Sequence, residues 1–162
     1  MAVVTEWALL AYRLPREPSG PRVTVWRKLR RMGAVQLVDG LVALPASSQN
    51  RERFDWLADE ILEAGGEAWT FAAAPGSKDQ QRALAARATD AAAEDYRALL
   101  EEAEALLASR ERPHRRTVQR LRRELRRIED RDPFPAKERA KVRRAVDRLS
   151  ARIDAADAAV VR

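Results

Sequence analysis

The stretch from residue 12 to residue 45 carries the turn chemistry that most restricts how this chain folds. It reads YRLPREPSGPRVTVWRKLRRMGAVQLVDGLVALP, and its first half holds three prolines that forbid a continuous helix or a central strand, Pro15, Pro18 and Pro21. Ser19 is placed to cap a helix that ends at Gly33, where glycine adopts the left-handed conformation. Asp39 and Gly40 separate two alternating apolar runs and predict a two-residue hairpin turn. The stretch therefore predicts the end of a strand, a helix and a β-hairpin.

The flanking residues complete a predicted βαββαβ unit. Alternating apolar residues predict the first strand, and apolar positions at helical spacing before a Gly-Gly stop predict the second helix. The predicted elements are a strand over 6–13, a helix over 22–32, strands over 35–38 and 41–44, a helix over 51–64 and a strand over 67–71. This is the order of the ferredoxin-like fold, in which both helices cover one sheet face, so we predict the α+β class.

After the last predicted strand the chain changes to long amphipathic helices. The segment 72–78, AAAPGSK, has the composition of a linker. Three apolar stripes at steps of three and four follow, interrupted at Pro113 and by the DPFP turn at 132–135. We therefore predict a ferredoxin-like domain over 1–75, followed by an antiparallel three-helix bundle or coiled-coil hairpin over 79–162.

The cysteine and histidine content excludes several kinds of chemistry. The chain has no cysteine, which excludes disulfides and thiolate catalysis and is consistent with a reducing cytoplasm. His114 is the single histidine, which excludes a histidine-rich metal site. No apolar run approaches the ~20 residues of a membrane span, and the N-terminal residues lack the features of a signal peptide. We predict a cytoplasmic protein that does not associate with membranes and has no metal, cofactor or catalytic residue.

Positive charge is concentrated toward the C-terminal part of the chain, whose formal net charge is +6. Residues 1–77 hold nine basic and nine acidic side chains, and residues 78–112 hold six basic and eight acidic. Residues 113–131 hold eight basic and three acidic, and residues 132–162 hold eight basic and five acidic. A basic excess favours an acidic partner such as nucleic acid, and this distribution assigns the excess to the predicted bundle.

The helix predicted after Pro113 is the main candidate for contact with DNA. It contains HRRTVQRLRRELRR at 114–127. One stripe consists of Arg116, Arg120, Arg123 and Arg127. Beside it lie Arg115, Arg122 and Arg126. Such a helix would contact phosphates, so that affinity depends on salt and only weakly on base sequence. The alternative is neutralisation by glutamates of the preceding helix, Glu101, Glu102 and Glu104. The charge count argues against complete neutralisation, since a net of −2 does not balance +5.

A second basic group lies on the first predicted helix and consists of Arg27, Lys28, Arg30 and Arg31. Guanidinium groups suit bidentate contact with phosphate, so this group is a further candidate for DNA binding. The alternative is a solvated helix face whose charge is balanced by acidic residues of the second helix. The neutral charge of this half of the chain favours that alternative.

The residues described so far resemble the N-terminal region of chromate-resistance regulators of the ChrB type. The resemblance lies in WALLAYRLPREPSGPRVTVWRKLRRMGAVQLVDGLVALP and continues through FDWLADEILEAGGEA, EDYRALLEEAEALL and RIEDRDPF, and so covers nearly the whole chain. It implies a bacterial cytoplasmic transcriptional regulator that controls chromate-efflux genes and responds to chromate. Chromate is a tetrahedral dianion, and three arginines flank the helix start where such an oxyanion would bind, Arg13, Arg16 and Arg22.

The same βαβ stretch is similar to the small CRISPR-adaptation nuclease subunit and to the middle domain of phenylacetate-type repressors. That resemblance implies a ferredoxin-like fold and a dimer. In the nuclease, the first strand ends with an aspartate that binds a divalent metal, whereas this chain has Arg13 in the corresponding segment. A guanidinium cannot ligate Mg²⁺, because hard cations require oxygen donors. We therefore predict a protein that is not an enzyme, with a metal-dependent nuclease of the same fold as the alternative.

The tryptophans are predicted to lie in the core or in a dimer interface. Trp26 and Trp56 lie on or near apolar helix faces, which favours the core. Taken together, the residues and the resemblance predict a homodimeric chromate-resistance regulator that binds DNA through arginine-rich helices. A structural or oligomerisation module without nucleic-acid contact is the remaining alternative.

Overall fold

The computed structural model describes residues 6–132 and 134–160, without the side chains of 159 and 160. The described chain is a mixed α+β structure with one four-stranded antiparallel sheet and five helices, which confirms the predicted α+β class. It divides into two compact units between Ala88 and Thr89. The domain limits of 1–75 and 79–162 stay a prediction.

The first unit contains six elements in the predicted order βαββαβ. They are β1 (Trp7–Arg13), α1 (Gly20–Met32), β2 (Val35–Val38), β3 (Leu41–Pro45), α2 (Ser48–Glu63) and β4 (Glu67–Ala73). The strands lie in the order β2-β3-β1-β4, and every neighbouring pair is antiparallel. The two interior strands are β3 and β1, and Leu10 of β1 pairs with Val42 of β3 and with Thr70 of β4.

Glycine conformations determine where α1 ends and where the hairpin turns. Gly33 ends α1 with a left-handed φ of 72°, and its N–H donates to the carbonyl oxygen of Arg30 at 3.0 Å. Gly40 turns the hairpin with a φ of 76°. Both positions confirm the sequence prediction. Ser19 precedes α1 as predicted, but its side chain makes no capping hydrogen bond, so the predicted capping contact is wrong.

Helices α1 and α2 cover one face of the sheet. The buried residues that form this core are Ala8, Leu10, Val25, Leu29, Val42, Leu44, Phe54, Leu57, Ala58 and Ile61. Because side chains alternate along a strand, Trp7 and Leu9 of β1 point to the opposite face. Trp7 is nevertheless buried, and its Nε1 donates to Oε1 of Gln81 at 2.9 Å, at the start of α3 (Lys78–Ala108).

Three of the four tryptophans are exposed, which corrects the prediction that Trp26 and Trp56 lie in the core. Trp26 is 55% exposed and Trp56 is 66% exposed. The buried side of α1 consists of Val25 and Leu29, and Trp26 is turned about 100° from Val25 around the helix axis. The apolar stripe that contacts the sheet is therefore too narrow to include the tryptophan beside it.

The second unit is built on the later part of α3 together with α4 (Arg115–Arg131) and α5 (Glu138–Val160). Its core contains apolar residues of all three helices, including Tyr96, Ala103, Leu121, Ile128, Val142 and Leu149. Arg120 and Arg131 of α4 pair with Glu102 and Asp95 of α3 in reverse order along the two helices, so α3 and α4 are antiparallel. Pro133 of the predicted turn lies outside the described residues, as does the side chain of Val160, which falls in the third predicted apolar stripe.

Candidate nucleic-acid interface

Helix α4 separates an apolar side from a basic side. Val118, Leu121, Leu125 and Ile128 are buried in the core of the second unit. The seven arginines that the sequence analysis assigned to DNA contact are all exposed, namely Arg115, Arg116, Arg120, Arg122, Arg123, Arg126 and Arg127. Helical periodicity explains the division, since residues three and four apart share one side. The helix thus presents a basic surface while its apolar side stabilises the fold.

Three of these seven arginines form ion pairs. Arg120 pairs with Glu102 of α3, and Arg127 pairs with Glu124 one turn earlier in α4 at 2.8 Å. Arg115 and the neighbouring Arg112 both bond the carboxylate of Asp157 in α5. The hydrogen bond from Arg112, followed by the contribution of Arg115, lowers the pKa of Asp157 below its usual value. Arg115 at the start of α4 thus meets the end of α5, while Glu129 near the end of α4 bonds Arg139 near the start of α5, so α4 and α5 are antiparallel.

The other four of these seven arginines have no ion pair with any side chain in 6–132 or 134–160. They are Arg116, Arg122, Arg123 and Arg126. Arg116 and Arg123 are two turns apart and lie on the side opposite the buried stripe, and Arg122 and Arg126 lie next to them. A duplex phosphate would therefore meet guanidinium groups whose donors are not already committed to a carboxylate.

The basic group on α1 is partly neutralised within the first unit. Lys28 forms an ion pair with Glu60 of α2, and the guanidinium of Arg30 lies 5.4 Å from the ring centroid of Trp26. Arg27 and Arg31 are exposed. The alternative given for this group was a solvated helix face whose charge is balanced by acidic residues of the second helix. The Lys28–Glu60 pair is a contact of that kind.

The three arginines considered for oxyanion binding do not share a partner. Arg13 forms an ion pair with Glu67 of β4 at 3.1 Å. Arg16 and Arg22 are exposed, and the positive charge of Arg22 partly offsets the burial that raises the pKa of Tyr12. A surface depression beside Arg13 is lined by Arg13, Leu14, Pro15, Gly65, Gly66 and Glu67, and neither Arg16 nor Arg22 contributes to it. The structure thus brings Arg13 to Glu67 rather than to the other two arginines.

A basic stripe on α5 was not singled out from the sequence. Lys141, Arg144 and Arg148 are exposed, recur at steps of three and four, and have no ion-pair partner in the described part of the chain. Arg139 and Arg143, on another side of α5, both bond Glu129 of α4. The spacing of the stripe was visible in the sequence, but the choice between paired and unpaired cations required the helix packing.

An apolar cavity of about 300 Å³ in the first unit was also not predicted. It lies against the sheet face opposite α1 and α2 and is lined mainly by apolar residues, among them Trp7, Leu9, Leu37, Ala73, Ala83 and Leu84. Gln80 and Arg87 of α3 are the polar residues of its lining. Its strand residues belong to separate β strands and come together only in the folded sheet.

The described residues contain neither a candidate metal site nor a candidate membrane span. No group of three or more His, Asp or Glu side chains there is arranged to hold a metal ion. Likewise, none of the described helices is long and apolar enough to span a bilayer.

Comparison with known proteins gives a family. A family model described as "Protein ChrB, N-terminal" matches residues 22–117, more than half of the chain. A curated relative named Protein ChrB, from Cupriavidus metallidurans, is 32% identical over 89 residues, which span 53% of this chain and 28% of the relative. No solved structure gives a significant match. The chain therefore belongs to the family described as Protein ChrB, N-terminal.

Proposed function

We propose that this chain is a non-enzymatic regulatory protein of chromate resistance that binds DNA as a cytoplasmic homodimer. Membership of the family and the resemblance to ChrB-type regulators support the regulatory role. The strand order β2-β3-β1-β4 with both helices on one face supports a ferredoxin-like arrangement for the sheet domain. In this proposal, α4 contacts the phosphate backbone of duplex DNA.

The observation that carries the proposal is the set of four exposed arginines of α4 that have no ion pair with a described residue. An exposed guanidinium that contacts a phosphate releases a counterion, which gives affinity that is steeply salt-dependent. Arg127 and Arg120 extend the same surface, although each already has a carboxylate partner. Because this contact is with phosphates, it would position the protein on DNA while contributing little to sequence selectivity.

A salt titration of DNA affinity tests the proposal. Fluorescence anisotropy would measure the Kd of the chain for two duplexes of unrelated sequence at several NaCl concentrations. The variant replaces Arg116, Arg122, Arg123 and Arg126 of α4 by Gln. We expect it to bind both duplexes more weakly, with the slope of log K against log [salt] reduced by about 4, close to one per lost phosphate contact.

A matched control carries the same change of charge on the other predicted group. It replaces Arg27, Lys28, Arg30 and Arg31 of α1 by Gln. If α4 is the interface, this control retains most of the salt dependence. Equal losses in the two variants would contradict the assignment to α4, and no binding by the unmodified chain at low salt would contradict DNA binding itself.

The absence of catalysis is proposed from the residues at the end of β1. Arg13 lies where the related nuclease has a metal-binding aspartate, and here its guanidinium bonds Glu67. An ammonium- or guanidinium-type group repels a divalent cation rather than binding it. Incubation of the chain with RNA and with DNA in the presence of Mg²⁺ or Mn²⁺ is expected to give no cleavage, and metal-dependent cleavage would contradict this part of the proposal.

Chromate is proposed as the effector on the basis of the family resemblance alone. The anisotropy experiment can be repeated with chromate and with sulfate, which has the same charge and tetrahedral shape. Release of DNA by chromate but not by sulfate would support a specific effector. Equal release by both anions would indicate only ionic competition for the arginines.

A further inference from the structure

β4 is an edge strand without the usual protection of an edge. It pairs with β1 in register from Glu67 to Ala73, and no described strand lies on its other side. Its sequence, EAWTFAA, contains no proline and no basic residue. Natural sheets commonly protect an edge by a short strand, a bulge, a proline or a lysine, because free N–H and C=O groups are a template for another strand. The opposite edge is of the protected kind, since β2 has four residues and a register shift near Gln36.

This edge also exposes two large aromatic side chains. Trp69 is 68% exposed and Phe71 is 53% exposed. They pair with Ala11 and Leu9 of β1, so both lie on the sheet face opposite α1 and α2. Aromatic side chains of this size contribute strongly to interfaces when they leave water. The strand therefore combines unpaired backbone groups with apolar area that is still exposed.

The middle of β4 is symmetric in its chemistry. Residues 68–72 read AWTFA, in which alanine, aromatic, threonine, aromatic and alanine follow one another. If a second copy paired antiparallel about Thr70, Trp69 would lie opposite the partner's Phe71 and Thr70 opposite the partner's Thr70. Aromatic pairs and threonine pairs are favourable neighbours across antiparallel strands. This register also keeps the helix-covered faces of the two sheets on the same side.

The helix layer beside this edge has further apolar surface. The hydroxyl of Thr70 donates to Oδ1 of Asp55 at 3.1 Å, so this side of α2 lies next to β4. Leu62 follows two turns later on the same side of α2 and is more than half exposed. An interface centred on β4 would therefore cover residues from the sheet and from the helix above it.

We infer that β4 is the surface through which two copies of this chain associate, with the two four-stranded sheets joined across a two-fold axis at Thr70. A contact of this type is isologous, meaning that the same patch of each copy faces the other. The inference rests on the homodimer of the proposed function and is independent of DNA binding.

The mass of the chain in solution tests this surface. Light scattering after gel filtration is expected to give twice the monomer mass of 18.3 kDa. The variant Phe71→Lys introduces a charge on the edge and is expected to reduce the mass to that of the monomer. The matched control is Trp56→Lys, which changes another exposed aromatic residue, on α2, and should remain a dimer. Far-ultraviolet circular dichroism of each variant would establish that the chain is folded.

A cysteine cross-link tests the register without introducing a charge. The chain has no native cysteine, so a single substitution reports on one position. Thr70→Cys would place two thiols opposite each other across the axis, and mild oxidation is expected to give a covalent dimer on a non-reducing gel. Val38→Cys, exposed at the β2 edge, is the control and should remain monomeric on that gel.

The outcomes separate this inference from the proposed function. A monomer at all concentrations would overturn the inference together with the proposed dimer. A dimer that resists Phe71→Lys and does not cross-link through Thr70→Cys would overturn β4 as the interface but leave a dimer in place. A cross-linked dimer that fails to bind DNA would support β4 and contradict only the DNA-binding proposal.

Discussion

Glu102 of α3 and Arg120 of α4 form an ion pair that joins two helices of the same core. Of the three glutamates considered for neutralising α4, Glu102 pairs with one of the predicted arginines, whereas Glu101 and Glu104 form no ion pair with a described residue. Arg116 lies one turn before Arg120 and has no such partner among the described residues. One stripe of α4 thus contains both paired and unpaired arginines, which permits a matched comparison within a single surface.

We predict that unpaired arginines of this stripe contribute more to DNA affinity than paired ones. Replacing Arg116 and Arg123 by Gln is expected to reduce the salt slope of log K by about 2. Replacing Arg120 and Arg127 by Gln removes the same charge but is expected to reduce the slope by less, because both guanidiniums already bond a carboxylate. Anisotropy titrations at several salt concentrations measure both slopes, and identical slopes would contradict the prediction.

Glu129 of α4 is predicted to make the stability of the chain depend on pH in the acid range. Its side chain is 14% exposed, and its carboxylate bonds Arg143 and Arg139 of α5. The hydrogen bond from Arg143 is the main reason that the pKa of Glu129 lies below its ordinary value of 4.5. A carboxyl whose pKa is lower in the folded state stabilises that state above the unfolded pKa, and this contribution is lost as the pH falls through the folded pKa.

The variant Glu129→Gln should therefore lower the free energy of unfolding at pH 7 by about 1 kcal/mol, since the arginines of the pair are partly solvated. Below the folded pKa of Glu129 the difference between variant and unmodified chain should disappear. Urea unfolding followed by circular dichroism at pH 7 and at successively lower pH values measures it. A difference that stays constant with pH would show that packing, rather than the charge of Glu129, is responsible.

Tyr96 is predicted to stabilise the turn between α4 and α5 through its hydroxyl. The hydroxyl donates to Oδ2 of the buried Asp132 at 3.1 Å, and the same oxygen accepts the N–H of Ala136 at 3.2 Å. Burial, followed by the charge of Asp132, raises the pKa of Tyr96, so its hydroxyl remains a donor. Tyr96→Phe would leave Asp132 with one donor fewer and should cost about 2 kcal/mol, as for a bond to a buried charged group.

Urea unfolding measures this cost against a matched control. Tyr12→Phe removes a hydroxyl from a partly buried tyrosine whose hydroxyl bonds no described residue, and it should change the free energy of unfolding by less than about 0.5 kcal/mol. Equal effects of the two substitutions would show that the bond to Asp132 does not account for the stability.

Local chemistry predicted the elements of this chain better than it predicted their contacts. Gly33 and Gly40 were assigned correctly because a left-handed backbone conformation is a property of the residue itself. Ser19 was assigned a capping bond that it does not make, since its own backbone is already right-handed helical, with φ −75° and ψ −18°. Ser47 before α2 has an extended backbone, and its side chain accepts the N–H of Asn50. The backbone conformation of a capping residue depends on how the chain enters the helix.

The candidate interface was predictable in composition but not in the state of each side chain. The sequence showed that α4 carries an excess of arginine, but the ion pairs of Arg115 and Arg120 depend on which acidic residues the neighbouring helices bring within reach. In the same way, the sequence predicted a strand over 67–71, whereas the position of β4 at the sheet edge is a property of the strand order. Trp69 is exposed because β4 is an edge strand.

Gly40 is predicted to be required in the hairpin for two separate reasons. Its φ of 76° is unfavourable for any residue with a Cβ, and a Cβ there would lie 2.5 Å from the carbonyl oxygen of Tyr12. The obstacle is backbone, which cannot move aside, because the N–H of Tyr12 donates to the Gly40 carbonyl at 2.7 Å. Gly40→Ala should therefore lower the free energy of unfolding by at least about 2 kcal/mol, more than the strain of a left-handed residue alone.

The matched control for this substitution is Gly20→Ala. Gly20 is the first residue of α1, its φ is not positive, and no atom lies within 4 Å of a Cβ built there. Alanine has the higher helix propensity, so this variant should be as stable as the unmodified chain or slightly more stable. Urea unfolding of the two variants measures the difference. A Gly40→Ala variant as stable as Gly20→Ala would mean that the hairpin relaxes enough to move the turn away from β1.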